Sequence, residues 1–144
     1  MELVWSKKLS VGNASLDAEH QQIIKLVNEV DRAIGAKNMA RFSQTLKQLE
    51  EAAREHFLNE AKIARAIDYD FNQHNIEHHY ILREMQLIET ELDAQHGSWS
   101  ASVAEHYFQF LSTWAIDHID EDDMKMKALL VARPYHFKPG DFSD

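Results

Sequence analysis

Cysteine is absent from the sequence, glycines and prolines are few, and no long hydrophobic run occurs. The lack of cysteine excludes disulfides, iron–sulfur clusters and a cysteine nucleophile, so any metal must be held by nitrogen and oxygen atoms. No apolar stretch approaches the ~18 residues that a membrane-spanning helix needs, so we expect no membrane interaction. The first twelve residues lack the continuous apolar segment of a signal peptide, which makes the cytoplasm the expected location.

Positive charge is also scarce, because 15 Lys and Arg stand against 24 Asp and Glu, which gives a net charge of -9. This balance repels phosphate backbones, so nucleic acid is not an expected partner. The length of 144 residues and the hydrophobic content of 44% suit one domain with one core. We therefore predict a single domain over residues 1–144.

Four segments carry apolar residues at alternating spacings of three and four, which is typical of amphipathic helices. They run from about Ser15 to Ile34, Asn38 to Ile67, Phe71 to Asp93 and Ser100 to Ala132. Both prolines follow residue 133, so no proline interrupts these segments. Long helices with short connections predict an all-α, up-down-up-down four-helix bundle over about residues 15–132.

The ends and faces of these helices can also be predicted. Gly35 is placed as the C′ residue, just beyond the end of the first helix, and Asn38 as the N-cap of the second. The predicted inward face of the fourth helix consists of Val103, Tyr107, Leu111, Trp114 and His118. The first ~14 residues are too apolar to stay in water, so we expect this N-terminal arm to pack along the bundle, and a short tail follows the last helix.

Ionisable residues occupy positions on the apolar stripes where hydrophobic residues are expected. They are His20, His56, Glu60, His74, His78 and His118, and acidic residues follow at 120–123. Residues four apart lie on nearly the same face of a helix, ~6 Å apart, so each such pair can converge on one point. Imidazoles with carboxylates suit iron, manganese or zinc, and this number of ligands predicts two metal ions bridged by carboxylates. A purely structural role is disfavoured, because an unpartnered buried polar group costs ~1 to 3 kcal/mol.

Other catalytic and metal frameworks are missing from the sequence. Ferritin-like di-iron sites need a Glu followed three residues later by a His, and no Glu here has a His at that position. The zinc-protease pattern fails because Asn75 follows His74. No serine lies in the Gly-rich turn that a hydrolase nucleophile requires.

The ionisable residues, taken in order, resemble the signature of bacterial hemerythrins. The matching segments are Leu16-Asp17-Ala18-Glu19-His20, His56-Phe57 with Glu60, His74 with His78, and Trp114 before His118-Ile119 and Asp123. The resemblance extends from Val11 to about Leu130. Asn13, Ala61 and a short 68–73 loop depart from the family pattern without removing a ligand.

The resemblance implies a ligand set for two iron ions with an oxo or hydroxo bridge. One iron would be held by His74, His78 and His118, the other by His20 and His56, and both would be bridged by Glu60 and Asp123. Reversible dioxygen binding would occur at the two-histidine iron. Ile24 and Trp114 are expected to line the oxygen pocket. The remaining histidines, His79, His96, His106 and His136, are interpreted as surface residues.

The function that the resemblance implies is oxygen transport, storage or delivery by a monomer, with an oxidase or oxygenase as client and without enzymatic activity. We expect no output domain after Leu130, so a sensor would need a separate partner. Two alternatives stay open. The di-iron centre could act as an enzyme on peroxide or nitric oxide, or the protein could sense or store oxygen or metal.

One position sets helix geometry against the resemblance. In a regular helix Asp122 lies about 40° from His118, whereas Asp123 lies about 140° away, so geometry alone favours Asp122. The resemblance favours Asp123. We therefore predict a π-type widening between His118 and Asp123, because ~4.4 residues per turn return a five-residue spacing to one face.

Overall fold

Four long helices lie side by side in the computed structural model, which describes residues 3–94 and 100–139. They are α1 (Ala14–Gly35), α2 (Met39–Ala66), α3 (Asn72–Ala94) and α4 (Ala101–Asp117). A π-helical turn (His118–Asp122), a 3-10 turn (Asp123–Met126) and the short helix α5 (Lys127–Leu130) continue α4. The described residues contain no strand. The predicted all-α, up-down-up-down bundle is confirmed.

Polar side chains begin three of the helices where the backbone N–H groups lack helical partners. Asn13 accepts a hydrogen bond from the N–H of Leu16 at the start of α1. Asn38 does the same for Arg41 in α2, which confirms the predicted N-cap.

The prediction that Gly35 is the C′ residue, beyond the end of the first helix, was wrong. Gly35 is still helical, and the left-handed residue is Lys37, with φ of 56°. The N–H groups of Lys37 and Asn38 donate to the carbonyls of Ile34 and Ala33, which closes the last turn of α1. The left-handed residue therefore lies two positions later than predicted. It directly precedes the N-cap Asn38, so one short turn both closes α1 and begins α2.

The main core fills one half of the bundle and a smaller second cluster lies at the opposite end. The main core includes Leu26, Val27, Val30, Phe42, Leu46, Leu49, Met85, Ile88 and Leu111. The second cluster contains Val11, Leu16, Ile63, Ala64, Ile67, Met126, Leu130 and Phe137. None of the helices in the described part of the chain is both long enough and apolar enough to span a membrane.

The orientation of α4 differs from the prediction. Val103, predicted to face inward, is 37% exposed, and Tyr107 is half-buried with its hydroxyl donating to the Glu91 carboxylate. The buried residues of α4 are Ala104, Phe108, Leu111, Ala115 and, in the turn that follows, His118 and Ile119. Helix α4 packs closely on α1 and less closely on α3. Leu111 and His118 of the predicted face are therefore buried as expected, whereas Val103 and Tyr107 lie at its edge, and a groove is left between α3 and α4.

Segments near both ends of the described residues are hydrogen-bonded to α1. Leu3 exchanges two backbone hydrogen bonds with the side chain of Asn28, at 2.8 and 2.9 Å. Asp17 accepts from the hydroxyls of Ser10 and Tyr135 and from the N–H of Val11. The N-terminal arm packs along the bundle as predicted.

The same end of α1 explains a departure from the family pattern. Asn13 is fully buried, and its Nδ2 donates to the carbonyl of Phe137 at 3.0 Å. Its Oδ1 already caps α1. An apolar residue could make neither bond, so Asn13 joins the C-terminal tail to the helix.

Candidate metal centre

Seven buried side chains from all four helical segments meet between the main core and the second cluster. They are His20, His56, Glu60, His74, His78, His118 and Asp123, and none is more than 3% exposed. The pairs in α2 and α3 are four residues apart, so regular helix geometry brings each pair onto one face. Every one of these positions was predicted from the sequence.

The carboxylate of Asp123 is approached by histidine Nε2 atoms from four elements. Its Oδ2 lies 2.6 Å from His20 Nε2, 2.9 Å from His118 Nε2 and 3.6 Å from His56 Nε2. Its Oδ1 lies 3.5 Å from His74 Nε2. Asp123 therefore lies between α1, α2, α3 and the end of α4.

The carboxylate of Glu60 has a corresponding position on the other side of the centre. Its Oε2 lies 3.1 Å from His56 Nε2, and its Oε1 lies 3.3 Å from His78 Nε2. Each carboxylate thus faces one histidine from α1 or α2 and at least one from α3 or α4. This is the arrangement that two carboxylates need to bridge a pair of metal ions.

The π-helical turn explains how Asp123 reaches the centre. The N–H of Asp123 donates to the carbonyl of His118, five residues earlier, and to that of Ile119. The extra residue in the turn cancels the ~140° rotation that a regular helix would impose. The predicted widening is confirmed, and it is Asp123 that lies in the cluster. The side chain of Asp122 lies outside the described part of the chain.

Aromatic rings pack against three of the imidazoles. Phe57 stacks on His78, with ring centroids 3.8 Å apart, and Trp114 stacks on His118 at 5.5 Å. Phe71, from the shortened loop before α3, stacks on His74 at 5.2 Å. These rings hold the imidazoles in place and exclude water from one side of the centre.

The two residues predicted to line an oxygen pocket have different surroundings. Ile24 is buried in α1, one turn after His20. Trp114 is half-buried and lies between His118 and the groove that separates α3 from α4.

Glu19 is a functional residue that the sequence reasoning missed. Its Oε1 lies 2.8 Å from His56 Nδ1, and its Oε2 accepts from Asn59 Nδ2 at 3.0 Å. A carboxylate at Nδ1 favours the tautomer whose Nε2 lone pair points into the centre. Glu19 precedes His20 on a polar face of α1, so its role becomes visible only when α2 is packed beside it.

The buried carboxylates remain acidic in spite of their burial. Burial raises the pKa of Asp123, but the nearby imidazoles of His118, His20 and His56 lower it well below its ordinary value. The pKa of Glu60 is also lowered, because the nearby imidazoles of His56 and His78 outweigh burial and the charge of Asp123. Both carboxylates therefore carry negative charge at neutral pH.

The imidazoles divide into two groups by protonation. Burial lowers the pKa of His20 and of His78, which keeps these rings neutral. Burial also lowers the pKa of His56, but the nearby carboxylates of Asp123, Glu19 and Glu60 raise it well above its ordinary value. Of these three imidazoles, His56 is therefore the one that favours the protonated form.

Unpartnered atoms test whether these residues fit a metal. Both oxygens of Glu60, Oδ1 of Asp123 and Nε2 of His78 are buried without a hydrogen-bond partner among the described residues. Five of the seven side chains offer ligand atoms that lie within 4.8 Å of one another. Buried lone pairs that converge without donors are costly, and a cation would satisfy all of them. The donor set of imidazole nitrogens and carboxylate oxygens fits a metal centre.

Comparison with known proteins agrees with this geometry. The family model described as the hemerythrin HHE cation binding domain matches residues 11–130. The chain belongs to the hemerythrin family. This hemerythrin is 25% identical over 122 residues to a bacteriohemerythrin of Pseudomonas aeruginosa, which covers 84% of this chain and 76% of that protein. The resemblance to bacterial hemerythrins inferred from the sequence is confirmed.

Two further comparisons agree with the length and with the fold of the chain. A hemerythrin-like protein of Naegleria gruberi is 24% identical over 127 residues, covering 88% of this chain and 92% of that protein. The crystal structure of a hemerythrin mutant superimposes with a TM-score of 0.79 at 19% identity, covering 91% of this chain and 99% of that one. The latter comparison supports the four-helix fold alone.

The histidines predicted to lie on the surface do so where the structure describes them. His79, His106 and His136 are exposed, whereas the cluster histidines are buried. His96 lies outside the described residues. His79 directly follows His78 in α3, and this pair offers a buried ligand candidate beside an exposed control.

Proposed function

We propose that this hemerythrin binds dioxygen reversibly at two bridged iron ions and serves in oxygen transport, storage or delivery rather than as an enzyme. The observation that carries the proposal is the buried arrangement of five Nε2 atoms around two carboxylates. The bacteriohemerythrins among its relatives support the same function. We further propose that the protein acts in the cytoplasm as a single-domain monomer.

The proposed ligands divide between the two irons as the family resemblance implies. His74, His78 and His118 would hold one iron, His20 and His56 the other, and Glu60 and Asp123 would bridge them, with an oxo or hydroxo group completing the centre. When bound, the two irons supply the two electrons that reversible dioxygen binding requires.

The side chains around this centre determine what can reach it. Because the seven candidate ligands are at most 3% exposed, only a small uncharged molecule enters without a large desolvation cost. Two anionic carboxylates offset part of the charge of two metal ions in the apolar interior. The hydrogen bond of Glu19 to His56 holds that imidazole with Nε2 toward the centre.

The test is the iron content of the purified chain together with its ultraviolet–visible spectrum. We expect two irons per chain and a near-ultraviolet absorption in air that bleaches with dithionite and returns with dioxygen. The variant His78→Ala should lose iron and this spectrum, whereas the exposed neighbour His79→Ala should keep both. A colourless protein after iron reconstitution, or equal behaviour of the two variants, would contradict the proposal.

The enzyme and storage alternatives make different predictions for the same preparation. An enzyme would consume peroxide or nitric oxide over many turnovers per centre, whereas a carrier would not. A metal reservoir would release iron quickly to a weak chelator. We expect neither multiple turnover nor rapid release, because the centre is enclosed by the bundle.

A further inference from the structure

The groove between α3 and α4 forms an open cleft with a volume of about 540 Å³. Phe110, Ile81 and Trp114 contribute apolar side chains to its wall, and the imidazoles of His78 and His118 form part of its lining. Beyond the lining residues, the Tyr107 hydroxyl donates to Glu91, which joins the two helices. The groove is therefore an open cleft that a hydrogen bond between the helices crosses near one end.

Acidic side chains accompany the apolar wall. Glu77 from α3 and Asp117 from α4 both line the groove, and Asp117 is exposed. Among the described residues that line the groove, none is a lysine or an arginine. Tyr80, which is 59% exposed, and Trp114 add aromatic rings on opposite helices. The groove thus combines an apolar interior, two carboxylates and two rings that attract cations.

We propose that this groove binds a small organic cation with an apolar body, such as an aryl-alkyl amine, as a ligand site separate from the metal centre. Its volume lies in the range of small-molecule pockets, which is about 300 to 1,000 Å³. The apolar body would lie against Ile81, Phe110 and Trp114, and the ammonium group would lie near Glu77 and Asp117. The excess negative charge of the chain, -9, favours a cation further.

The shape of the groove favours a small molecule over a partner helix. A docked helix needs an open surface of several turns, whereas the Tyr107–Glu91 hydrogen bond crosses this cleft about one turn from Phe110. A molecule in the groove would also contact His78 and His118, so the groove adjoins the proposed metal centre. The expected preference for a cation does not rest on dioxygen chemistry, because it depends on the other walls of the groove.

The experiment uses the full-length, metal-loaded protein and three probes with one apolar body: 4-phenylbutylammonium, 4-phenylbutanol and 4-phenylbutyrate. Binding is measured by calorimetry, and the site is located by amide chemical-shift changes. We expect saturable binding with the cation tightest and the anion weakest, a preference that falls with added salt, and shift changes confined to α3 and α4.

Two kinds of variant separate shape from charge. Thr113→Trp fills the groove from its exposed rim and should lower the affinity for the cation at least about tenfold without changing metal content. Gln109→Trp is a second variant that fills the groove, for use if the first folds poorly. Asp117→Asn should lower the affinity for the cation about threefold and leave the affinity for the alcohol unchanged, as expected for one exposed charge. Glu51→Gln, an exposed acid on α2, is the charge-matched control and should change neither.

Four results would overturn the proposal. They are the absence of saturable binding, equal binding of cation and anion, shift changes away from α3 and α4, and loss of binding in Glu51→Gln equal to that in Asp117→Asn. Probe-independent self-association that protects the same residues would show that the groove is instead a contact between two copies.

Discussion

The two halves of the bundle interior are built on opposite principles. In the main core, residues such as Leu46, Leu49 and Met85 bury apolar side chains that fit one another without special geometry. In the metal-binding half, the same helices place charged and polar groups at equally buried positions. The apolar half stabilises the fold by itself, whereas the other half is favourable only when a cation satisfies its ligands. The stability of the main core is therefore expected to be independent of metal, whereas that of the metal centre is expected to depend on it.

Among the substitutions that distinguish the two halves, removal of a proposed bridging carboxylate should have the largest effect, because it lowers metal affinity directly. We expect Asp123→Ala to lower metal affinity by more than about 100-fold, beyond the 10- to 100-fold loss typical of residues that only orient ligands. The effect should be confined to the metal-binding half, since Asp123 lies outside the main core. Metal analysis after dialysis and the dioxygen-dependent spectrum measure it.

The control for Asp123→Ala lies in the same turn. Asp120 is exposed, so Asp120→Ala should keep both metal content and spectrum. Equal metal content in the two variants would show that Asp123 is not a bridge.

A substitution in the apolar half should act independently of metal. Leu49 is fully buried in the main core, so Leu49→Ala should cost about 2 to 5 kcal/mol of unfolding free energy. We expect the same cost in metal-loaded and metal-stripped protein, while stripping alone lowers the melting temperature of both. Denaturant titrations in the two metal states measure these four values.

A surface leucine provides the comparison for Leu49. Leu87 is 52% exposed, and Leu87→Ala should change stability by less than about 0.5 kcal/mol. If the cost of Leu49→Ala depended strongly on metal, the two halves would have to be regarded as one cooperative unit.

A weaker effect is expected at the edge of the metal-binding half. Glu19→Gln keeps a hydrogen-bond acceptor beside His56 but removes its charge, so metal affinity should fall about tenfold. Glu19→Ala should lower metal affinity further than Glu19→Gln does. A higher affinity in the Gln variant than in the Ala variant would show that the hydrogen bond orients the imidazole of His56. Competition with a chelator measures the series. No loss in Glu19→Ala would mean that packing alone positions His56.

The smallest effect concerns a carboxylate pair beside the apolar half. Burial and a hydrogen bond with Glu50 raise the pKa of Glu89 to about 8. The folded state thus favours the protonated acid, a contribution that is fully present below about pH 4.5 and is lost as the pH rises toward 8. Glu89→Gln should therefore gain stability relative to the parent chain across this interval.

The expected gain from Glu89→Gln is about 1 kcal/mol or less, because solvent screens this partly exposed pair. Melting temperatures of both proteins from pH 4 to 9 provide the measurement, with Glu51→Gln as the control. A constant difference over this range would show that the pair does not repel.

The same contrast explains how much the sequence could predict. The helices and the stripe histidines were predictable because alternating three- and four-residue spacing determines which side chains share a face. His56 with Glu60, and His74 with His78, follow from that spacing alone. The position of Asp123 could not be predicted from spacing, because a regular helix would turn it away from His118. The family resemblance indicated the wide turn.

Tertiary packing accounts for what the sequence did not show. Part of the inward face of α4 was misassigned because Val103 is more hydrophobic than Ala104, yet Ala104 lies in the main core and Val103 is exposed. Glu19 resembles an ordinary solvated acid until His56 is brought beside it. Both residues depend on which helices become neighbours, and periodicity along one helix carries no such information.

The wide turn after His118 amounts to a one-residue insertion, because the chain gains a residue without gaining a helical turn. Everything downstream is rotated by about 100° relative to an uninterrupted α-helix. This change of phase brings Met126 and Leu130 into the second cluster and leaves Leu129 42% exposed. Deleting a single residue from 119–122 would thus misdirect Asp123 and turn the closing apolar residues outward at the same time.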